Sequence, residues 1–126
     1  MGEMVYADTD LFLALLKPSD WLKENSRKIY ERYRGQITTS EATLMELLIL
    51  SKKFSLDPVR IMAAVMAMTN IEDEAYLRAA YYMKEHGLNP FDALHAAKCG
   101  GTIISSDKAF DKLGIKRIKL EKPEED

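Results

Sequence analysis

Leu88-Asn89-Pro90-Phe91-Asp92-Ala93-Leu94-His95-Ala96-Ala97-Lys98-Cys99-Gly100-Gly101, followed by Thr102-Ile103-Ile104-Ser105-Ser106-Asp107-Lys108-Ala109-Phe110-Asp111-Lys112-Leu113, is the stretch that decides the fold. Asn89 is a good helix cap, and Pro90 suits a first helical position, where its missing N–H has no intrahelical partner to lose. The helix so begun is expected to run to Cys99 and stop at Gly100. Thr102 to Ser105 is β-branched and short, the pattern of a buried strand. Asp107 falls just past the carboxyl end of that strand, where open α/β sheets place their ligands. Asp92 lies in the first turn of the preceding helix. Two carboxylates therefore stand near the ends of adjacent elements.

Working outward, Met4-Val5-Tyr6-Ala7 reads as a central strand, followed by Asp8-Thr9-Asp10 and a short apolar helix over Leu11–Leu16. Ser19 is a cap for a helix from Asp20 to Arg34, with Trp21, Leu22, Ile29, Tyr30 and Tyr33 as a broken apolar stripe and Lys23, Arg27, Lys28, Arg32 and Arg34 as its basic residues. Gln36 to Thr39 forms a second strand. Ser40 opens a helix to Phe54, and Pro58 another to Met68, whose Met62, Met66 and Met68 are core filler. Thr69 to Ile71 is expected to add a short edge strand. Glu72 to His86 is a helix closed by Gly87, burying Ala75, Leu77, Ala79, Ala80 and Met83. Lys108 to Leu113 is a short helix, and Ile115 to Leu120 alternates apolar and basic residues like a half-exposed last strand. Glu121 to Asp126 reads as a frayed acidic tail. Strands separated by helices imply parallel pairing with right-handed crossovers. The expected architecture is α/β: a short central parallel sheet of four or five strands with helices on both faces, one domain spanning residues 1–126.

Composition narrows the functional classes. A chain of 126 residues with 47% hydrophobic content suits one compact domain. Although 30% of the residues are charged, the net charge is only -2. A nucleic-acid partner would thus be held by local basic patches or metal ions rather than by a global positive field. The lone Cys99 excludes an internal disulfide and fits a reducing compartment. No apolar run is long enough to span a bilayer, and the first residues lack a signal-peptide pattern, so a cytoplasmic domain with no membrane partner is expected.

Each acid has an ordinary explanation. Asp8 is positioned to cap a helix, Asp92 is favoured by the helix dipole, and Asp107 is positioned to cap the helix from Lys108. Glu46 differs, because its i±3 and i±4 neighbours Ala42, Thr43, Ile49 and Leu50 supply no ion pair. On an otherwise apolar helix it is expected to be buried and to face a site. In a parallel sheet, strand carboxyl ends share an edge with the amino ends of the helices that follow them. Four oxygen donors converging there would select a hard cation, Mg²⁺ or Mn²⁺, of the kind that activates water against a phosphodiester, with one or two ions.

These motifs carry a specific resemblance. Tyr6-Ala7-Asp8-Thr9-Asp10, Thr43-Leu44-Met45-Glu46-Leu47, Phe91 to Ala97 and Ser105 to Phe110 resemble, in order and spacing, the motifs of PIN-domain ribonucleases, most of all the VapC-type toxins of toxin–antitoxin pairs. The resemblance implies a Mg²⁺- or Mn²⁺-dependent ribonuclease in which Asp8, Glu46, Asp92 and Asp107 hold the metal. It places Ser105 at a hydroxyl position of the site and Asp10 where the family usually has Asn. Asp111 is a further acid within reach of a supporting role. An RNA substrate, an inhibiting antitoxin protein and a homodimer are the implied partners. The Asp20–Arg34 and Glu41–Phe54 helices are the dimer candidates.

Two other readings compete. A PIN-like binding or scaffolding protein would have the same motifs with a weak or silent site. A phosphatase or receiver domain would use Asp8 as the phosphorylated residue, but it needs a strand-terminal Lys near the last acid, and Lys108 opens a helix instead. His95 and His86 read as ordinary helix histidines, and Cys99 has no electropositive surroundings to make it a nucleophile.

Overall fold

A computed structural model of the chain describes residues 3–123. Its elements are β1 (Val5–Tyr6), α1 (Thr9–Leu16), α2 (Lys23–Tyr33), β2 (Ile37–Thr38), α3 (Glu41–Lys53), α4 (Pro58–Thr69), α5 (Glu74–His86), α6 (Pro90–Lys98), β3 (Thr102–Ser105), a 3-10 helix (Lys108–Leu113) and β4 (Lys116–Lys119). Local chemistry sets most of the helix ends. Asp57 accepts from the Val59 and Arg60 N–H groups and precedes Pro58 at the start of α4. Asp73 does the same for α5 through Ala75, and Gly87 closes that helix with a left-handed φ of 66°. Satisfying these orphan donors stabilises each helix by about 1 kcal/mol.

The core lies among the helices. Phe12 of α1, Leu44, Leu47 and Leu48 of α3, and Met62 and Val65 of α4 are fully buried. Burial of each such side chain contributes roughly 1.5–3 kcal/mol. Small residues fill the contact between α5 and α6, where Ala79, Ala80 and Ala93 are inaccessible to solvent. Met66 and Met68 pack against the same cluster, so the methionines of α4 do fill the core.

The strands depart from the expected sheet. β1 pairs in parallel with β2, Val5 opposite Ile37 and Tyr6 opposite Thr38. β3 pairs in parallel with β4, from Thr102 opposite Lys116 to Ser105 opposite Lys119. Parallel pairing holds, but among the described residues there are two separate two-stranded sheets in place of one central sheet of four or five strands. Tyr6 is 59% exposed and Ile104 65% exposed, so neither pair is covered on both faces. Apolar, β-branched composition marks an extended backbone; it does not by itself supply a partner for each edge.

Other boundaries moved for identifiable reasons. Asp20 accepts from the Leu22 N–H, a local turn that delays α2 to Lys23 and leaves Trp21 90% exposed, outside the expected stripe. Residues 69–71 form no strand: Thr69 ends α4, and Asn70 closes it with a left-handed φ of 59°. In α5, Leu77 is exposed and Tyr76 takes the buried place. At the start of the expected tail the Glu121 carboxylate accepts from Arg117 at 2.9 Å; residues 124–126 lie outside the described residues. No helix among the described residues is long and apolar enough to cross a membrane.

Candidate functional site

Asp92 and Asp107 line one pocket of about 260 Å³, together with Ser105, His95 and Phe110. Asp92 is set by the start of α6. Its N–H donates to Asn89 Oδ1 and its Oδ2 accepts from Asn89 Nδ2, both at 2.9 Å, so one residue fixes the backbone and the carboxylate together. Asp107 follows β3. Its N–H donates to Ser105 Oγ at 2.9 Å, and its Oδ1 accepts from the Ala109 N–H at 2.9 Å. Each carboxylate thus has one tethered oxygen. The other makes no hydrogen bond among the described residues and is available to a ligand.

Asp8 and Glu46 do not line that pocket. Asp8 caps α1, accepting from the Thr9 N–H at 2.7 Å, and is exposed. The β1 and β2 ends beside it are joined where the Thr39 hydroxyl donates to the Ala7 carbonyl at 2.9 Å. The Tyr6 hydroxyl meets Ser40 Oγ at 2.6 Å, which ties β1 to the start of α3 and holds the phenol pKa below its ordinary value. Glu46 is exposed, contrary to the expectation of a buried carboxylate. It shares the outer face of α3 with Ala42, Ile49 and Lys53, where solvent accounts for its lack of a helical ion pair. Asp10 is exposed and lines a separate, mostly apolar cavity of about 310 Å³ with Tyr6, Leu11, Asn25 and Tyr33.

The donor set tests the expected metal. Carboxylates and a hydroxyl are hard oxygen donors, suited to Mg²⁺ or Mn²⁺ in kind. Yet no three His, Cys, Asp or Glu side chains stand close enough to hold an ion among the described residues. The structure brings Asp92, Asp107 and Ser105 together and does not add Asp8 or Glu46 to that pocket. Asp111 is engaged elsewhere, giving both oxygens to Arg117 at 2.8 and 3.2 Å.

Arg117 is the residue that the strand pattern missed. Its side chain is only 2% exposed, while Ile118 and Leu120 beside it face solvent. Besides Asp111 it donates to the Ser105 carbonyl at 2.8 Å and to Glu121 at 2.9 Å. These bonds push its pKa up and hold those of Asp111 and Glu121 down. The signal was present in the period of two, which places Arg117 on the same side of the strand as the half-buried Ile115. His95 was read as a packed helix residue; it is exposed and opens onto the pocket one turn after Asp92.

Comparison with known proteins adds an independent line. The model of the PIN domain family matches residues 5–116, from the first residue of β1 to the first of β4. No match was found among curated proteins or among solved structures. PIN domains are typically nucleases, generally use divalent metals, and as nucleases bind nucleic acid. With the matched stretch covering nearly all of the described fold and every acid of the candidate site, the chain belongs to the PIN domain family.

Proposed function

We propose that the protein is a Mg²⁺- or Mn²⁺-dependent endoribonuclease that hydrolyses phosphodiesters of single-stranded RNA, and that it serves as the toxin of a toxin–antitoxin pair. The observation that supports catalysis is the pocket in which Asp92 and Asp107 each present an untethered oxygen beside Ser105, within a chain of a typically nucleolytic family. Asp8, Glu46, Asp92 and Asp107 are the residues that would hold the metal, which supplies an activated water and neutralises phosphate charge. The chain's own part is to orient. Asn89 fixes the Asp92 carboxylate, and the Ser105–Asp107 turn fixes the other. Ser105 Oγ, half-buried at the pocket, is placed to donate to a phosphate oxygen. In the reaction a water oxygen bonds to phosphorus, one bridging P–O bond breaks, and the departing oxygen takes up a proton.

Purified protein is expected to cut single-stranded RNA with Mg²⁺ or Mn²⁺ and to stop in EDTA. Cleavage that persists unchanged in EDTA sinks the proposal. A second reading, an RNA-binding PIN protein with little activity, is favoured by the lining of the pocket, which includes neither Asp8 nor Glu46. It predicts RNA binding in Mn²⁺ with the RNA recovered intact.

For partners, the exposed Trp21 and Ile29 near and on α2, and Ile49 and Phe54 on and after α3, favour a homodimer through these helices, with an antitoxin as the inhibiting partner. Light scattering should give twice the 14.4 kDa chain mass. A single-chain mass at tens of micromolar, on the order of working concentrations, rules out a stable dimer.

A further inference from the structure

We propose that Arg117 is a positioning residue for the site, holding the end of β3 so that Ser105 and Asp107 keep their places in the pocket. This rests on the reading of Asp107 and Ser105 as site residues. Every nitrogen of the guanidinium donates. Nε and Nη2 take the two Asp111 oxygens, and Nη1 takes both the Ser105 carbonyl and Glu121 Oε1. The planar fork is thereby fixed by the 3-10 helix on one side and by Glu121, two residues past β4, on the other.

The bond to the Ser105 carbonyl passes that rigidity to the site. Ser105 is the last residue of β3, and its hydroxyl accepts the Asp107 N–H two residues later. Asp107 then accepts the Ala109 N–H, at the start of the same 3-10 helix that carries Asp111. The circuit closes: Arg117 to Ser105, Ser105 to Asp107, Asp107 to Ala109, and Asp111 back to Arg117. With the guanidinium removed, the Ser105 carbonyl loses its side-chain donor and the turn bearing Asp107 loses one of its anchors. Asp111 and Glu121 act as counter-charges that hold the guanidinium and need not touch the metal or the RNA.

The test compares Arg117→Met and Arg117→Lys with wild type, well below each melting temperature. Two quantities are read: the kinetics of RNA cleavage, and the Mn²⁺ concentration giving half of the metal-induced melting shift. For Arg117→Met, kcat should fall about tenfold or more with KM for RNA nearly unchanged, and the Mn²⁺ requirement should rise severalfold, the scale on which supports of metal ligands act. Arg117→Lys keeps the charge without the fork and should fall between. If neither folds, the double variant Asp111→Asn with Glu121→Gln loosens the guanidinium at the surface and should raise the Mn²⁺ requirement about threefold, a smaller version of the same effect. A folded Arg117 variant, or failing that the double variant, with wild-type kcat and Mn²⁺ requirement overturns the proposal. Asp107→Asn separates the two levels. If it cuts normally, the site reading itself fails; if it is dead while Arg117→Met is normal, only the positioning role fails.

Discussion

Asp92 and Asp107 come from the start of a helix and the end of a strand, share a pocket, and each have one oxygen tethered by a neighbour. Asp8 and Glu46 come from equivalent kinds of position on β1 and α3, yet neither lines that pocket, and of the two only Asp8 has a tethered oxygen. The difference lies in what surrounds them. Around Asp92 and Asp107, Asn89, Ser105 and Arg117 form a rigid frame before any ligand arrives. Around Asp8 the hydrogen bonds serve the strand ends and the cap of α1, and Glu46 makes no side-chain hydrogen bond among the described residues. The Asp92–Asp107 pocket is pre-organised; if Asp8 and Glu46 complete the proposed site, a ligand must draw them in at a cost in ordering entropy.

That contrast is most easily broken by replacing the four acids singly. Asp92→Asn and Asp107→Asn should each reduce Mn²⁺-dependent RNA cleavage more than about a hundredfold, beyond the range usual for outer supports of a metal site. If the two pairs act together in the loaded protein, Asp8→Asn and Glu46→Gln will match them. Wild-type rates for the latter pair confine the chemistry to the Asp92–Asp107 pocket.

A smaller effect is expected at Asn89, whose side chain both caps α6 and holds the Asp92 carboxylate. Asn89→Ala should cost about 1 kcal/mol of stability and lower the melting temperature by a few degrees. It should also slow cleavage by about tenfold, through the freed carboxylate. Loss of stability with an unchanged rate would show that Asp92 needs no such frame.

The smallest effect belongs to the Lys84–Asp57 ion pair, which does not line the Asp92–Asp107 pocket. Lys84 donates to Asp57 at 2.8 Å, and chiefly this bond holds the Asp57 carboxyl below its ordinary value of 3.8. Asp57→Asn retains a good cap and removes the ion pair, so a slight loss of stability at neutral pH and no change in cleavage are expected. Because the folded pKa is depressed, this contribution is complete above pH 3.8 and fades as the pH falls through the lower folded value. Melts of both proteins should converge in strong acid. A gap that persists there assigns the effect to the cap geometry.

The helices were legible because their ends are written locally. Asn89-Pro90, Pro58 and Gly87 act through the local backbone, and the structure uses all three. The sheet was less so. Which edges pair depends on distant segments, and the apolar run Met4 to Ala7, expected as a central strand, lies at an exposed pair. The expected burial of Glu46 failed for a related reason: the absence of helical partners says nothing about which face of α3 meets the core. Asp92, Asp107 and Ser105 were legible as neighbours because only a short connection separates α6 from β3. Arg117 was not, since its partners Ser105, Asp111 and Glu121 meet only when β4 returns beside β3.

The exposure of Trp21 has a practical consequence for optical work. It is the chain's one tryptophan, and solvent surrounds most of its indole. Its emission should already lie near that of the free amino acid and should change little when the core around Phe12, Leu48 and Met62 melts. Unfolding is therefore better followed by circular dichroism. The same indole becomes a sensitive reporter of anything that covers the entry to α2, because shielding it from water would shift its emission to the blue and slow its quenching by iodide.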